Sequence, residues 1–192
     1  VVGKIVGAMC DTQAELKTIY PALPDVIGRE VYAVTTAELE ERYPELTPKE
    51  RENKVCREHG TVFIMQIGGA LPRSGKPHDG RAPDYDDWSL NGDIMIWYAP
   101  MECALELSSM GIRVNAESLR SQLEISGHEE RAALPFHRAL LDGELPLTVG
   151  GGIGQSRLCM ALLAKVHVGE VQCSVWPEDM VKACADAGIA LL

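Results

Sequence analysis

No two cysteines in this sequence stand at C-x-x-C spacing. The six cysteines, Cys10, Cys56, Cys103, Cys159, Cys173 and Cys184, are scattered along the chain. Neither a zinc site nor a disulfide framework follows, which leaves small core residues in a reducing cytosol. Basic charge is also short, because 18 Lys and Arg stand against 28 Asp and Glu for a formal net charge of −10. A surface of that sign repels polyanions, so no nucleic-acid partner is expected. No apolar run approaches the ~18 residues of a membrane span, and no signal peptide is visible. The expected setting is cytoplasmic, with no membrane contact. There is no internal repeat, low-complexity tract or linker. A chain of 192 residues can bury roughly 70% of its unfolded surface, so one domain over residues 1–192 is the economical reading.

Helix and strand signals are well spaced. Ile5, Val6, Met9, Leu16 and Ile19 predict a helix over residues 1–20, stopped by Pro21 and Pro24. Residues 31–34 are rich in β-branched side chains. Thr35 with Glu38 then forms a capping box for a short helix to Tyr43, and Thr47, Pro48 and Glu50 start another that Gly60 ends. Glu38, Glu40, Glu41 and Glu50 are expected on a solvated face. The run TVFIMQI, Thr61 to Ile67, predicts a buried central strand. DIMIWYA (Asp93 to Ala99) and CALELSS (Cys103 to Ser109) predict an antiparallel hairpin. Asn115 caps a helix to Ser126, a further helix ends at Asp142, Val171 to Trp176 reads as a last strand, and Pro177 opens a terminal helix.

The stretch LTVGGGIGQSRLCMALL, Leu147 to Leu163, reads as a strand end, a glycine turn and a helix, a place where backbone N–H groups and the helix dipole favour an anion. A phosphate-binding P-loop would need Lys and Ser or Thr after Gly154, where Gln155, Ser156 and Arg157 stand. A dinucleotide fingerprint would need glycine at Arg157 and an acid ~20 residues on. The remaining form, G-x-G-x-x-R, sets Arg157 on the first helical turn, to stack on adenine, to hold a phosphate, or simply to sit in solvent.

Two other stretches bear chemistry. In the long polar segment from Gly68 to Asn91, Arg81, Asp84, Asp86 and Asp87 crowd together, either as solvated charge or as a clamp for a carboxylate and an ammonium group. In the hairpin, simple alternation sets Cys103, Leu105 and Leu107 on one face and Ala104, Glu106 and Ser108 on the other. Glu106 among apolar neighbours needs a cation, which is either an arginine or a hard ion such as Mg²⁺ shared with Asp93. His137 has no nucleophile near it in sequence and reads as a surface or core histidine.

Taken with ELSSMGIRV (Glu106 to Val114) and RAPDYDDW (Arg81 to Trp88), the glycine stretch resembles ammonia-dependent asparagine synthetase, the aspartate–ammonia ligase. The resemblance covers nearly all 192 residues in order. It implies an α+β fold with a mixed, mainly antiparallel sheet flanked by helices, like the catalytic domain of class II aminoacyl-tRNA synthetases. It further implies that ATP activates the side-chain carboxylate of aspartate as a β-aspartyl adenylate, and that ammonia then displaces AMP.

Carried over by motif, Gly150, Gly151, Gly152 and Arg157 would hold ATP, and Asp93 and Glu106 would hold Mg²⁺. Ser108 and Ser109 would line the substrate pocket, and Arg81 and Asp86 would grip aspartate or ammonium. Arg81, Asp86 and Arg157 would carry the catalysis. The chain resembles about the C-terminal three-fifths of such an enzyme, whose N-terminal part supplies the homodimer interface and part of the aspartate pocket. A protein of this length alone is expected to be inactive. Trp88 and Ser89 also run directly into Leu90, Asn91 and Gly92 where the family has a longer segment. Competing readings are a synthetase-like paralogue that adenylates another amino acid and an inactive sensor of nucleotide or aspartate.

Overall fold

A computed structural model describes residues 1–192. Five strands form one sheet in the order β1-β2-β3-β4-β5, with β1 (Val31–Thr35) parallel to β2 (Thr61–Met65). The pairings of β2 with β3 (Asp86–Tyr98), β3 with β4 (Cys103–Arg113) and β4 with β5 (Val149–Ile153) are all antiparallel. The sheet is therefore mixed and mainly antiparallel, as expected.

Helices cover both faces because the central strands are apolar on both sides. On one face Ile94, Ile96 and Tyr98 of β3 and Leu107 and Met110 of β4 pack against α1 (Val2–Ile19) and α6 (Gln155–Leu162). On the other, Met95 and Ala104 join Val62 and Ile64 beneath α2 (Thr36–Arg42) and α3 (Pro48–His59). Two further helices, α4 (Ala116–Ser126) and α5 (Pro135–Leu141), meet over Val114, Leu119, Leu123 and Leu140, and α7 (Glu178–Asp186) closes the chain. The predicted capping boxes at Thr35 and Thr47 form, each closed by its own glutamate.

Several expectations are overturned. Glu40 does not lie on a solvated face. It is 2% exposed, and its oxygens accept the N–H groups of Arg73 and Ser74 at 2.9 and 3.1 Å, beside Arg51. A buried carboxylate thus fastens the polar segment onto α2. The predicted strand at Val171 to Trp176 does not form: β5 is the sheet edge, and Val175 is left 97% exposed with nothing to pair against. The second strand stops at Met65 because Gln66 takes a left-handed backbone (φ 63). Asn91 replaces the lost ladder, its amide accepting from the Ile67 N–H and donating to the Ile67 carbonyl, both at 2.8 Å.

β3 starts at Asp86, seven residues before the predicted Asp93, because Asp86 pairs with Arg113 across the ladder. Between that pair and Asn91–Gly111, residues 87–90 bulge out. His137 is a core residue, held at 3.0 Å by Asp84.

The left-handed conformation at Gln66 costs a side-chain-bearing residue on the order of 1 kcal/mol. Gln66→Gly is expected to raise the urea midpoint by an amount equivalent to ~1 kcal/mol with the m-value unchanged.

Candidate active site

The site follows from a one-residue irregularity in the hairpin. On β4, Ser108 pairs with Ile94 and Glu106 with Met95, so Leu107 is an extra residue with no partner. Such a bulge resets the alternation. Leu107 and Ser108 therefore both turn to the α1 face, whereas Glu106 shares its face with Ser109 and, across the ladder, with Asp93. The predicted grouping of Glu106 with Ser108 is overturned for this reason. The Ser108 hydroxyl donates to the Gly152 carbonyl at 2.9 Å and lies on the opposite side from the carboxylates.

The glycine stretch departs from its expected form. Gly150, Gly151 and Gly152 do not make a turn; they are residues of β5, paired with Gly111, Met110 and Ser109. Paired residues project to the same side, so Gly111, Gly150 and Gly152 all belong to the Ser109 and Asp93 face. At Gly150 an added Cβ would lie 2.5 Å from the Arg113 guanidinium, and at Gly111 2.8 Å from the Asp86 carboxyl carbon. At Gly152 it would meet nothing within 4 Å. Three glycines thus clear a floor that is bare at its centre.

Around that floor stand ion pairs. Asp86 accepts from Arg113 at 2.7 Å, and the Arg113 guanidinium sits 3.7 Å over the Tyr85 ring. Arg81 pairs with Asp93. Arg157, from the first turn of α6, lies 3.3 Å from the Glu106 carboxylate. Both cations considered for Glu106 remain relevant, since an arginine is already there.

Burial pushes the Asp93 carboxyl up to about 6, against the opposing pull of Arg81 and the Ser109 hydroxyl, with the Glu106 charge adding to the rise. Asp86 is also raised by burial in spite of Arg113. Arg81 is paired with Asp93, and its charge also opposes the rise at Asp86.

The structure brings together Arg81, Asp86, Asp93, Glu106, Ser109, Gly150, Gly152 and Arg157, and leaves Ser108 and Gly151 on the other face. Sequence reasoning missed Arg113, although it stands inside the ELSSMGIRV string; its parity becomes visible only with the bulge. It also missed Lys49, Glu52 and His78, which line a cleft of about 370 Å³ with Asp93, Glu106 and Arg157. Glu52 is held below the usual carboxylate range: burial raises it, and the bonds from His78 and Lys49 outweigh that.

One Asp93 oxygen, Oδ1, is buried without a hydrogen-bond partner. An orphaned carboxylate oxygen beside Glu106 suits a hard cation. No third His, Cys, Asp or Glu converges there, so phosphate oxygens and water would complete the coordination.

The fold is similar to that of the catalytic domains of class II aminoacyl-tRNA synthetases. The asparaginyl-tRNA synthetase of Entamoeba histolytica, solved with asparaginyl-adenylate, matches 85% of this chain and 38% of its own, with a TM-score of 0.54 at 17% identity. The chain belongs to the aspartate–ammonia ligase family, whose model matches residues 1–188. It is 57% identical to the aspartate–ammonia ligase of Lactobacillus acidophilus over 98% of this chain and 56% of that protein. It is 62% identical to that of Limosilactobacillus reuteri over 88% and 49%. The chain spans about half the length of the curated relatives it matches.

Two stability measurements check the geometry. A Cβ at Gly151 would lie 2.7 Å from that of Met110, so Gly151→Ala is expected to lose ~1–3 kcal/mol, whereas Gly152→Ala stays within ~0.5 kcal/mol of wild type. For Asp93 the raised folded pKa means that the native state binds the extra proton. Its favourable contribution is complete below the ordinary aspartate range and is lost as pH rises through about 6. Without metal, the stability of wild type relative to Asp93→Asn is therefore expected to fall as pH rises from ~4 through about 6, as read from denaturant midpoints across the range.

Proposed function

We propose that the protein carrying this chain makes asparagine from aspartate, ammonia and ATP, releasing AMP and pyrophosphate. The observation that carries this reading is the bare strand floor bordered by three carboxylate–arginine pairs, Asp86–Arg113, Asp93–Arg81 and Glu106–Arg157. The Asp86–Arg113 pair suits the zwitterionic end of aspartate, its carboxylate taking the ammonium group and its guanidinium the α-carboxylate. The Arg157–Glu106 pair and the Asp93 carboxylate suit ATP, with Gly150 and Gly152 admitting the nucleotide and Arg157 on the adenine or the phosphates. Ser109 sits beside Asp93 and holds its charge. Ser108 ties β5 to β4 and so keeps the floor flat, and Gly151 packs that strand on Met110.

Arg81 lies where the two ligands meet. The side-chain carboxylate of aspartate attacks the α-phosphorus and the bond to pyrophosphate breaks; Arg81 stabilises the negative charge that gathers on the phosphorus oxygens. Ammonia then attacks the acyl carbon, AMP leaves with the electron pair of the acyl–oxygen bond, and the surplus proton passes to solvent. Held in line, both steps need little more than position and charge. Mg²⁺, held by Asp93 and Glu106, would neutralise phosphate charge.

We read residues 1–192 as one catalytic unit of a cytoplasmic enzyme, in keeping with six free thiols and with the lack of any helix long and apolar enough to cross a membrane. The resemblance suggests a homodimer whose interface lies in the family's N-terminal part. The alternative of a synthetase-like paralogue or sensor is not favoured, because identity to ligases is 57% and 62% against 17% to the asparaginyl-tRNA synthetase.

The test uses the purified full-length protein with ATP, Mg²⁺ and aspartate, with and without ammonium. Asparagine should appear in step with AMP and pyrophosphate, and only with ammonium. Arg113→Lys should raise the KM for aspartate about tenfold or more and leave that for ATP little changed. Adenylation without asparagine would point to another acceptor and overturn the reading.

A further inference from the structure

Beyond Asp93 and Glu106 the cleft runs to the first turn of α3, where Lys49, Glu52 and His78 line it. A cation at this position is unexpected, because the positive end of a helix dipole favours acids there. Glu52 keeps it in place. One Glu52 oxygen accepts from the Lys49 ammonium at 2.8 Å, and the other lies 3.3 Å from His78 Nε2. His78 is itself 5% exposed, and its Nδ1 has no partner. The carboxylate is thus oriented from behind by a buried ring, and the lysine is oriented by the carboxylate. The Lys49 side chain remains 62% exposed at the cleft. Asp93, which lines the same cleft, also has its Oδ1 without a partner. An oriented cation and an orphaned carboxylate oxygen lining one cleft call for a ligand that carries anionic charge and a divalent cation together.

We propose that Lys49 binds the β- and γ-phosphates of ATP and stabilises pyrophosphate as it leaves, with Glu52 and His78 as positioning residues. This rests on the reading that the phosphates lie at Asp93 and Glu106. With the reacting phosphorus beside Arg81 and the nucleoside over the glycine floor, the rest of the triphosphate extends along the cleft between Arg157 and Lys49. When the bond to the α-phosphorus breaks, the new charge on the departing oxygen is met by the ammonium and by the positive end of α3.

The experiment measures binding of inorganic pyrophosphate and of AMP, each with Mg²⁺, to the full-length enzyme and to Lys49→Ala, Lys49→Arg and Glu52→Gln. Lys49→Ala is expected to weaken pyrophosphate about tenfold or more, with AMP within about twofold of wild type and the melting temperature unchanged. Lys49→Arg should recover part of the loss, and Glu52→Gln should show a smaller loss of the same kind. Unchanged pyrophosphate binding in Lys49→Ala, or equal loss of AMP and pyrophosphate, overturns the proposal. So does a wild-type enzyme that binds no pyrophosphate. Asparagine formation by the wild type, measured alongside, shows whether the ligase reading stands when this inference fails.

Discussion

Everything at this site depends on the parity of two strands. A strand pair with unbroken alternation would set Glu106 with Ser108 and would turn Ser109 and Arg113 to the opposite, apolar face, where a guanidinium has no water and no partner. The extra residue at Leu107 shifts that alternation midway along β4. From Cys103 to Leu107 the strand supplies the core as its pattern predicts. Beyond the bulge it supplies Ser109, Gly111 and Arg113 to the face already occupied by Asp93 and Asp86. One hairpin thereby serves two purposes at different points along its length, a core at one end and a charged floor at the other. The Asp93 and Glu106 carboxylates are placed by backbone hydrogen bonds on both sides, and they cannot drift as loop residues would.

The same logic governs the glycines. A glycine run before a helix is ordinarily read as a turn that presents N–H groups to an anion. Here the run is the edge strand, its backbone is extended and paired, and Gly150 to Gly152 have no left-handed conformation. What matters is the side chain each lacks. Gly150 and Gly111 leave room for the Arg113–Asp86 pair, and Gly152 leaves a vacant surface between the charged groups. Gly151 answers a different need, the close packing of β5 on Met110.

How much of this was legible depended on how local the cause was. The capping boxes at Thr35 and Thr47, the strand that starts at Thr61, the hairpin and the helix capped by Asn115 were readable because neighbouring residues decide them. Asp93 and Glu106 stood out as acids among apolar residues. The bulge could not be read, since it arises from register between strands. Glu40 was misread as solvated because its partners, the N–H groups of Arg73 and Ser74, are more than thirty residues away. Lys49 and His78 gave no sign at all: one looked like helix surface and the other like loop, and only the fold brings them to the cleft that Asp93 lines.

The proposed function asks a chain with a formal charge of −10 to host a triphosphate, and under that reading the arrangement of pairs resolves the difficulty. In the ligand-free site every cation is already committed: Arg81 to Asp93, Arg113 to Asp86, Arg157 to Glu106 and Lys49 to Glu52. The pairs keep Asp86, Asp93 and Glu52, the most buried of these carboxylates, from standing alone. Aspartate and metal-bound ATP both carry charge of the two signs. They can exchange partners with these pairs, carboxylate to ammonium or metal and arginine or lysine to carboxylate or phosphate, without leaving any group uncompensated. Binding then changes the net charge of the site little while it changes which atoms share it. The excess of acid over the rest of the surface therefore matters less than the local pairing, and a free polyanion lacking its own cations finds no such exchange.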